Sequence, residues 1–222
     1  MVLGLVMAGF MAATPSALES ARDQQDRTAL EKMVNEYSAA AAKAPNNADA
    51  QYRVALAASY LAEVSIEQHD RKPGRQAAEQ GIRAAEKAIS LKPEAEYYRV
   101  LATLCGQAIT DVLSGLSYGP RARDAVDRAV EKAPKSSSVY VARGVGSYYL
   151  PASLGGGEKQ AIADFQKAID LDPKNAEAYL WLGLSLRKEN RNADARQAFA
   201  KSLELNPNRI WTKQQLEKTP VK

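Results

Sequence analysis

The sequence contains very little cysteine and histidine. With only Cys105 and His69, the chain lacks the paired cysteines of a disulfide framework and the Cys/His set of a structural zinc site. Neither sign of charge is in large excess, since 30 lysines and arginines are nearly balanced by 26 acidic residues. These absences predict no metal, no cofactor and no nucleic acid partner.

Catalytic motifs are poorly represented as well. The segment Gly115–Gly119 fits G-x-S-x-G, but a hydrolase nucleophile needs a preceding strand and a histidine further along the chain, and none follows His69. The glycines Gly155–Gly157 do not lead into the Gly-Lys-Ser/Thr of a phosphate-binding loop, because Glu158 and Gln160 interrupt it. We therefore predict that the chain is not an enzyme.

An uninterrupted apolar run, MVLGLVMAGFMAA, occupies residues 1–13, and small residues follow it up to Ala17. The run is too short to span a bilayer. It is typical of the apolar core and cleavage zone of a secretory signal, although no basic residue precedes it. Residues 1–17 therefore predict an exported protein, periplasmic or secreted, with no stable membrane span after their removal. The alternative is a buried helix of a cytoplasmic protein.

The last third of the chain contains a pattern of small and apolar residues that predicts a helix hairpin. Gly183 and Ala195 are small where two antiparallel helices would cross, and Pro207 ends the second helix. Counted from Ala176 as position 1, the pattern has Tyr179 at 4, Leu182 at 7, Gly183 at 8, Leu186 at 11, Ala195 at 20, Phe199 at 24, Ser202 at 27 and Pro207 at 32. One such hairpin cannot bury its outer apolar side, so we expect copies to stack.

The same helix ending recurs along the chain. A basic, a small and an apolar residue precede the proline in four segments, which end at Pro93, Pro134, Pro173 and Pro207. Measured from Pro45, the intervals between these prolines are 48, 41, 39 and 34 residues. The spacing predicts four hairpins, at residues 48–93, 95–134, 137–173 and 176–207.

The remaining segments are assigned relative to these hairpins. Residues 17–43 are predicted as one long helix before the first hairpin, residues 209–217 as a capping helix, and residues 218–222 as a tail. Because the helix ends stay in register, the extra length of the first three hairpins is predicted to lie in their turns, at His69–Gly74, Ser114–Pro120 and Pro151–Gly157.

Residues 46–207 resemble four tetratricopeptide repeats, whose pattern is W-x2-L-G-x2-Y, then A-x3-F, then P. The resemblance implies an all-α fold, a right-handed solenoid of antiparallel helix hairpins that forms a single domain over residues 18–217. The signal-like N-terminus and the loop with Pro151, Gly155 and Gly156 are also similar to exported bacterial tetratricopeptide proteins that accompany transporters.

In tetratricopeptide arrays the first helices line a concave groove, and the resemblance implies where this lining lies. The corresponding residues are Tyr52, Leu56, Tyr60, Arg99, Thr103, Gln107, Val141, Val145, Tyr148, Tyr149, Leu184, Arg187 and Lys188. Tyrosine and arginine suit a binding surface, although each tyrosine could instead belong to the core between repeats. Arg99 is followed by Thr103 and not by the asparagine of arrays that clamp a terminal carboxylate, so this clamp is not predicted.

The predicted function is that of a non-enzymatic scaffold or adaptor that binds a protein or peptide in this groove. The alternative is a small-molecule or lipid carrier within an exported transport system. A carrier requires an enclosed pocket of about a few hundred cubic ångströms, whereas an open groove favours the scaffold.

Overall fold

The computed structural model describes residues 16–221, and within them the fold is all-α, as predicted. Residues 1–15, which hold most of the signal-like segment, lie outside the described residues. The helices are α1 Ala17–Asp23, α2 Arg27–Lys43, α3 Ala48–Glu67, α4 Arg71–Leu91, α5 Ala95–Gln107, α6 Val112–Lys132, α7 Ser137–Tyr149, α8 Glu158–Leu171, α9 Ala176–Lys188, α10 Asn192–Leu205 and α11 Ile210–Glu217. No helix within the described range is long and apolar enough to cross a membrane.

The helices form hairpins that stack into a solenoid. The closest pairs along the array are α3 with α4, α5 with α6, α7 with α8, and α9 with α10. The first helices of successive hairpins also contact each other, from α3 through α5 and α7 to α9, whereas the second helices contact one another far less. The first helices therefore form the inner layer of the array and the second helices the outer layer.

The prediction of one long helix over residues 17–43 is wrong, because the chain turns between α1 and α2. Gln25 adopts a left-handed conformation with φ of 53°. Its N–H donates to Arg22 O at 3.0 Å, and the N–H of Asp26 donates to Ala21 O at 2.8 Å. These two bonds are the Schellman arrangement that ends many helices. The side chain of Asp26 then caps α2.

The predicted turns of the first two hairpins are also wrong, because most of each segment is helical. The first turn is short, and α4 already begins at Arg71. In the second hairpin, α6 begins at Val112 and continues through Pro120. Asp111 and Ser114 cap each other reciprocally at its start, with Ser114 N donating to Asp111 Oδ1 at 2.8 Å. The extra residues therefore lengthen the helices, and only the third hairpin has a long loop, around a short 3₁₀ turn at Ala152–Leu154.

The crossing of the last hairpin has its small residue, Gly183, where the sequence predicted it. A Cβ atom added to Gly183 would lie 2.7 Å from the ring of Phe199, so only glycine allows this approach. The third hairpin repeats the arrangement, since a Cβ atom on Gly144 would lie 2.6 Å from the ring of Phe165. Both phenylalanines are completely buried. The small residue at position 8 and the aromatic residue at position 24 thus form one packing unit.

Cys105 is fully buried on α5, where it packs as a small apolar residue. Burial raises the pKa of its thiol to about 11. We expect the folded protein to react with a thiol reagent such as DTNB about a hundredfold more slowly than the urea-unfolded chain at mildly alkaline pH. Absorbance of the released thiolate measures both rates. Equal rates would contradict the buried position.

Candidate binding groove

Two groups of side chains meet where the first helices and the terminal helices come together. The first, the aromatic cluster, comes from α7, α9 and α11 and contains Tyr148, Tyr149, Trp181 and Trp211. The second, the ion cluster, comes from α1, α3, α9 and the start of α11. Its members are Arg22, Asp23, Glu63, Glu67, Glu177 and Arg209.

In the aromatic cluster the rings meet edge to face. The ring centroids of Tyr148 and Tyr149 are 5.0 Å apart, and those of Tyr148 and Trp181 are 5.7 Å apart. Trp211 completes the cluster at 5.5 Å from Trp181. These geometries are the favourable ones for aromatic pairs. Tyr149 nevertheless remains 66% exposed, so the cluster presents one rigid ring to solvent.

Arg209 is the centre of the ion cluster and is only 1% exposed. Its Nη2 lies 2.6 Å from Glu63 Oε1 and also contacts Glu67 Oε1. Its Nε lies 3.3 Å from Glu177 Oε1. A second guanidinium, that of Arg22, bonds Asp23 at 2.6 Å and approaches Glu177 at 3.3 Å. Two cations therefore face four carboxylates.

This imbalance of charge affects the carboxylates differently. Burial raises the pKa of Glu63 to about 7, and burial also raises the pKa of Glu67 although Arg209 opposes it. Glu177 is buried too, but the charges of Arg22 and Arg209 hold its pKa below the usual range. Burial and the neighbouring carboxylates therefore favour the protonated forms of Glu63 and Glu67, whereas the guanidinium of Arg209 favours their charged forms.

The ion cluster joins the two ends of the array. Asn206 Nδ2 donates to Asp23 Oδ2 at 2.8 Å, and Gln214 Nε2 donates to Gln25 Oε1 at 3.2 Å. Arg209 Nη1 also approaches the backbone oxygen of Arg22 at 3.4 Å. The last helix is thereby tied to the first helix and to α3. Side-chain contacts therefore bridge the inner side of the array at this point.

Comparisons with known proteins agree with the architecture. Residues 159–210 match the family model for the tetratricopeptide repeat. The chain has the tetratricopeptide repeat fold. A thermophilic tetratricopeptide protein of Thermus thermophilus superposes with a TM-score of 0.60 at 17% identity, covering 90% of this chain and 97% of that one. No curated protein sequence matches the chain significantly.

A second structure that superposes on the chain is the HusA haemophore from Porphyromonas gingivalis. It superposes with a TM-score of 0.53 at 17% identity, covering 80% of this chain and 96% of that one. At this identity both structures show a common fold and no more.

In the first two repeats, the predicted groove residues make contacts within the chain. Tyr52 donates to Glu96 Oε1 at 2.9 Å, and the same carboxylate binds Arg99 through two bonds, of 2.6 and 2.7 Å. The guanidinium of Arg22 lies 5.0 Å from the centre of the Tyr60 ring. These half-buried tyrosines thus connect neighbouring helices while part of each ring stays accessible.

Five further predicted residues, in the first three repeats, are also half-buried. Gln107 Nε2 donates to Ser59 O at 3.1 Å, which links α5 to α3. Thr103 Oγ1 donates to Arg99 O at 3.2 Å. Leu56 packs against the core of the first repeat, and Val141 packs against the apolar cluster around Ala168 and Ile169. Val145 is half-buried as well.

The last repeat differs, because α11 and the preceding turn cover part of its first helix. Leu184 is buried in the core and does not line a groove. Arg187 donates to Gln215 Oε1 at 2.7 Å and to Gln215 O at 3.2 Å, so it holds α11 in place. Lys188 remains at the edge of the aromatic cluster, where its Nζ lies 4.8 Å from the Tyr148 ring and 2.6 Å from Glu158 Oε1.

Of the predicted groove residues, the structure brings Tyr148, Tyr149 and Lys188 together, and it adds Trp181 and Trp211, which were not among the predicted residues. Trp181 stands at position 6 of its repeat, which is not among the expected groove positions. Trp211 lies beyond the last repeat, in a helix predicted only as a cap. The two tryptophans are the only ones in the chain, and this scarcity was the available signal.

Two depressions in the described surface are open to solvent. One of about 470 Å³ lies between α4 and the turn before α6 and is lined by polar residues, and one of about 240 Å³ lies between α2 and α3 and has a mixed lining. Neither includes a member of the aromatic cluster. Neither encloses space in the way that a small-molecule carrier requires.

Proposed function

We propose that the protein is a non-enzymatic scaffold or adaptor that binds a protein or peptide through the inner side of its array, with Tyr149 as the central contact. The observation that carries this proposal is the exposure of a rigid ring, 66% for Tyr149, within an otherwise packed aromatic cluster. Exposed aromatic rings with fixed neighbours give contact area at a small cost in conformational entropy, and binding hot spots are rich in them. Tetratricopeptide arrays in general present such surfaces for partner binding.

The edge of the aromatic cluster adds polar groups that would orient a peptide. Lys188 and Glu158 form an ion pair of 2.6 Å beside the Tyr148 ring, at the accessible end of α9. The predicted residues of α3 and α5 extend the same side of the array, although Tyr52 and Arg99 are already bound to Glu96. A partner would therefore bind mainly to the aromatic cluster, because at Tyr52 and Arg99 it would have to compete with Glu96.

The test is a comparison of variants with peptides selected on the wild-type protein from a random displayed library. We expect Tyr149→Ala to weaken the binding of these peptides by about tenfold or more, as for a hot-spot residue. Isothermal titration calorimetry measures the dissociation constants. Leu113→Ala serves as the matched control, because Leu113 is similarly exposed but lies on the outer helix α6. Unchanged affinity in Tyr149→Ala would contradict the proposed groove.

The alternative function, a carrier of a small molecule or lipid, has less support. One structure with this fold is named a haemophore, but the likeness concerns the fold alone. The two open depressions do not provide an enclosed site. Native mass spectrometry of the protein purified gently from its own cells distinguishes the two functions, because a tightly retained small molecule would favour the carrier and a bound polypeptide the scaffold.

We also propose that the protein works outside the cytoplasm, on the strength of the apolar run at residues 1–13. We expect the intact mass of protein from its own cells to lack about the first 16 residues. A full-length mass would contradict export through a cleaved signal.

A further inference from the structure

An exposed apolar patch lies at the start of α6, on the outer layer of the array. Val112, Leu113 and Leu116 are 82%, 78% and 72% exposed, and Ile109 in the preceding turn is partly exposed. They are exposed because α6 has 21 residues and its partner α5 only 13, so the first turns of α6 extend past α5. These four residues form a convex tip and not a groove.

The first turn of α4 lies beside the apolar patch and is basic. Arg75 Nη1 lies 3.3 Å from Thr110 Oγ1 and 3.8 Å from Asp111 Oδ2, which places the starts of α4 and α6 next to each other. Arg71, Lys72 and Arg75 line the open depression of about 470 Å³ between these helices. Cations and projecting apolar side chains thus share one end of the array.

Two of the three cations are available to a ligand. Arg75 is balanced by acids, since its Nε donates to Glu79 Oε1 at 2.9 Å and Asp111 approaches the same guanidinium. Arg71 and Lys72 are exposed and form no ion pair with any residue of the range 16–221. Unpaired positive charge therefore lies on the depression that reaches Thr110, just before the patch.

We propose that this end of α4 and α6 docks onto an anionic membrane surface. The apolar patch would enter the interfacial region of the bilayer while Arg71 and Lys72 contact lipid phosphates beside the depression. A lipid surface adapts to projecting apolar side chains and supplies the negative charge that the cations need. A second copy of this chain fits less well, because a symmetric contact would bring the same unpaired cations of both copies together.

The test is co-flotation of the full chain with vesicles made of equal parts of phosphatidylcholine and phosphatidylglycerol. We expect the protein to partition onto these vesicles and to bind pure phosphatidylcholine vesicles at least about tenfold more weakly. Two double variants, Leu113→Ser with Leu116→Ser and Arg71→Gln with Lys72→Gln, should each reduce the binding by about tenfold or more. Wild type and variants are compared in the same N-terminal form, checked by intact mass, so that a difference between them reports on the patch.

The matched control is Arg128→Gln with Lys132→Gln, which removes two exposed cations from the far end of α6 and should leave binding unchanged. Circular dichroism checks that each variant keeps its helical content. Equal vesicle binding by wild type and both patch variants would overturn the proposal. So would a change from dimer to monomer in the leucine variant without any vesicle binding, because the patch would then join two copies of the chain.

Discussion

Replacing Arg209 with methionine is expected to lower the free energy of unfolding by about 3–5 kcal/mol. The guanidinium is buried among Glu63, Glu67 and Glu177. Methionine would fill part of the space but would leave the carboxylates without their main counter-charge. Burial already raises the pKa of Glu63 to about 7, which shows how poorly this site tolerates further negative charge. Urea unfolding followed by far-UV circular dichroism measures the change.

The matched control is Arg128→Met on α6. Arg128 is exposed and lies 3.7 Å from Asp124, so its loss should change stability by about 0.5 kcal/mol or less. Adding Glu63→Gln to Arg209→Met should recover part of the loss, because it removes one uncompensated carboxylate. Equal stability of the Arg209 and Arg128 variants would show that the ion cluster does not hold the ends of the array together.

Replacing Phe199 with alanine is expected to cost about 3–5 kcal/mol of stability. The ring is completely buried and rests directly against Gly183, where even a single added carbon would lie 2.7 Å away. Because the glycine has no side chain that could move into the cavity, the space left by the ring would stay largely empty. Thermal and urea unfolding of the variant measure the loss.

Tyr149→Ala provides the comparison for this aromatic deletion. Its ring is 66% exposed, so its removal should change stability by about 1 kcal/mol or less while weakening peptide binding. A Phe199→Ala protein as stable as Tyr149→Ala would contradict the close contact at the helix crossing.

The contact between Gly183 and Phe199 could be predicted from the sequence because it depends on local geometry. Two helices joined by a short turn bring the same two positions together in every repeat, so spacing alone identifies them. The turns were harder to predict. Pro73 and Pro120 indicated breaks in the chain, yet Pro73 lies in the first turn of α4, where proline is tolerated, and Pro120 is accommodated inside α6. Gln25 gave no signal, since a left-handed residue at a helix end is usually glycine.

The candidate site could be predicted only in part. Tyr148 and Tyr149 follow from their positions on a first helix of the array. Arg209 and Glu63 are 146 residues apart, and no local pattern indicates that they meet. Their contact depends on the summed rotation of all the repeats between them. The exposure of the apolar patch depends on α6 being longer than α5, and this difference is likewise known only when the ends of both helices are known.

The contacts of Arg209 change the connectivity of the array from a line to a ring. In a linear array each end has a single neighbour, so the terminal helices fray first and stability is a sum of nearest-neighbour terms. Here contacts of Asp23, Glu63 and Asn206 also join the turn before α11 to α1 and α3. The two ends then share one opening equilibrium, and amide hydrogens near them would exchange together. A partner that had to separate α11 from α3 would have to break these ionic contacts. The same contacts suppress fraying of the two ends, so such a partner would gain access only when the ring opens.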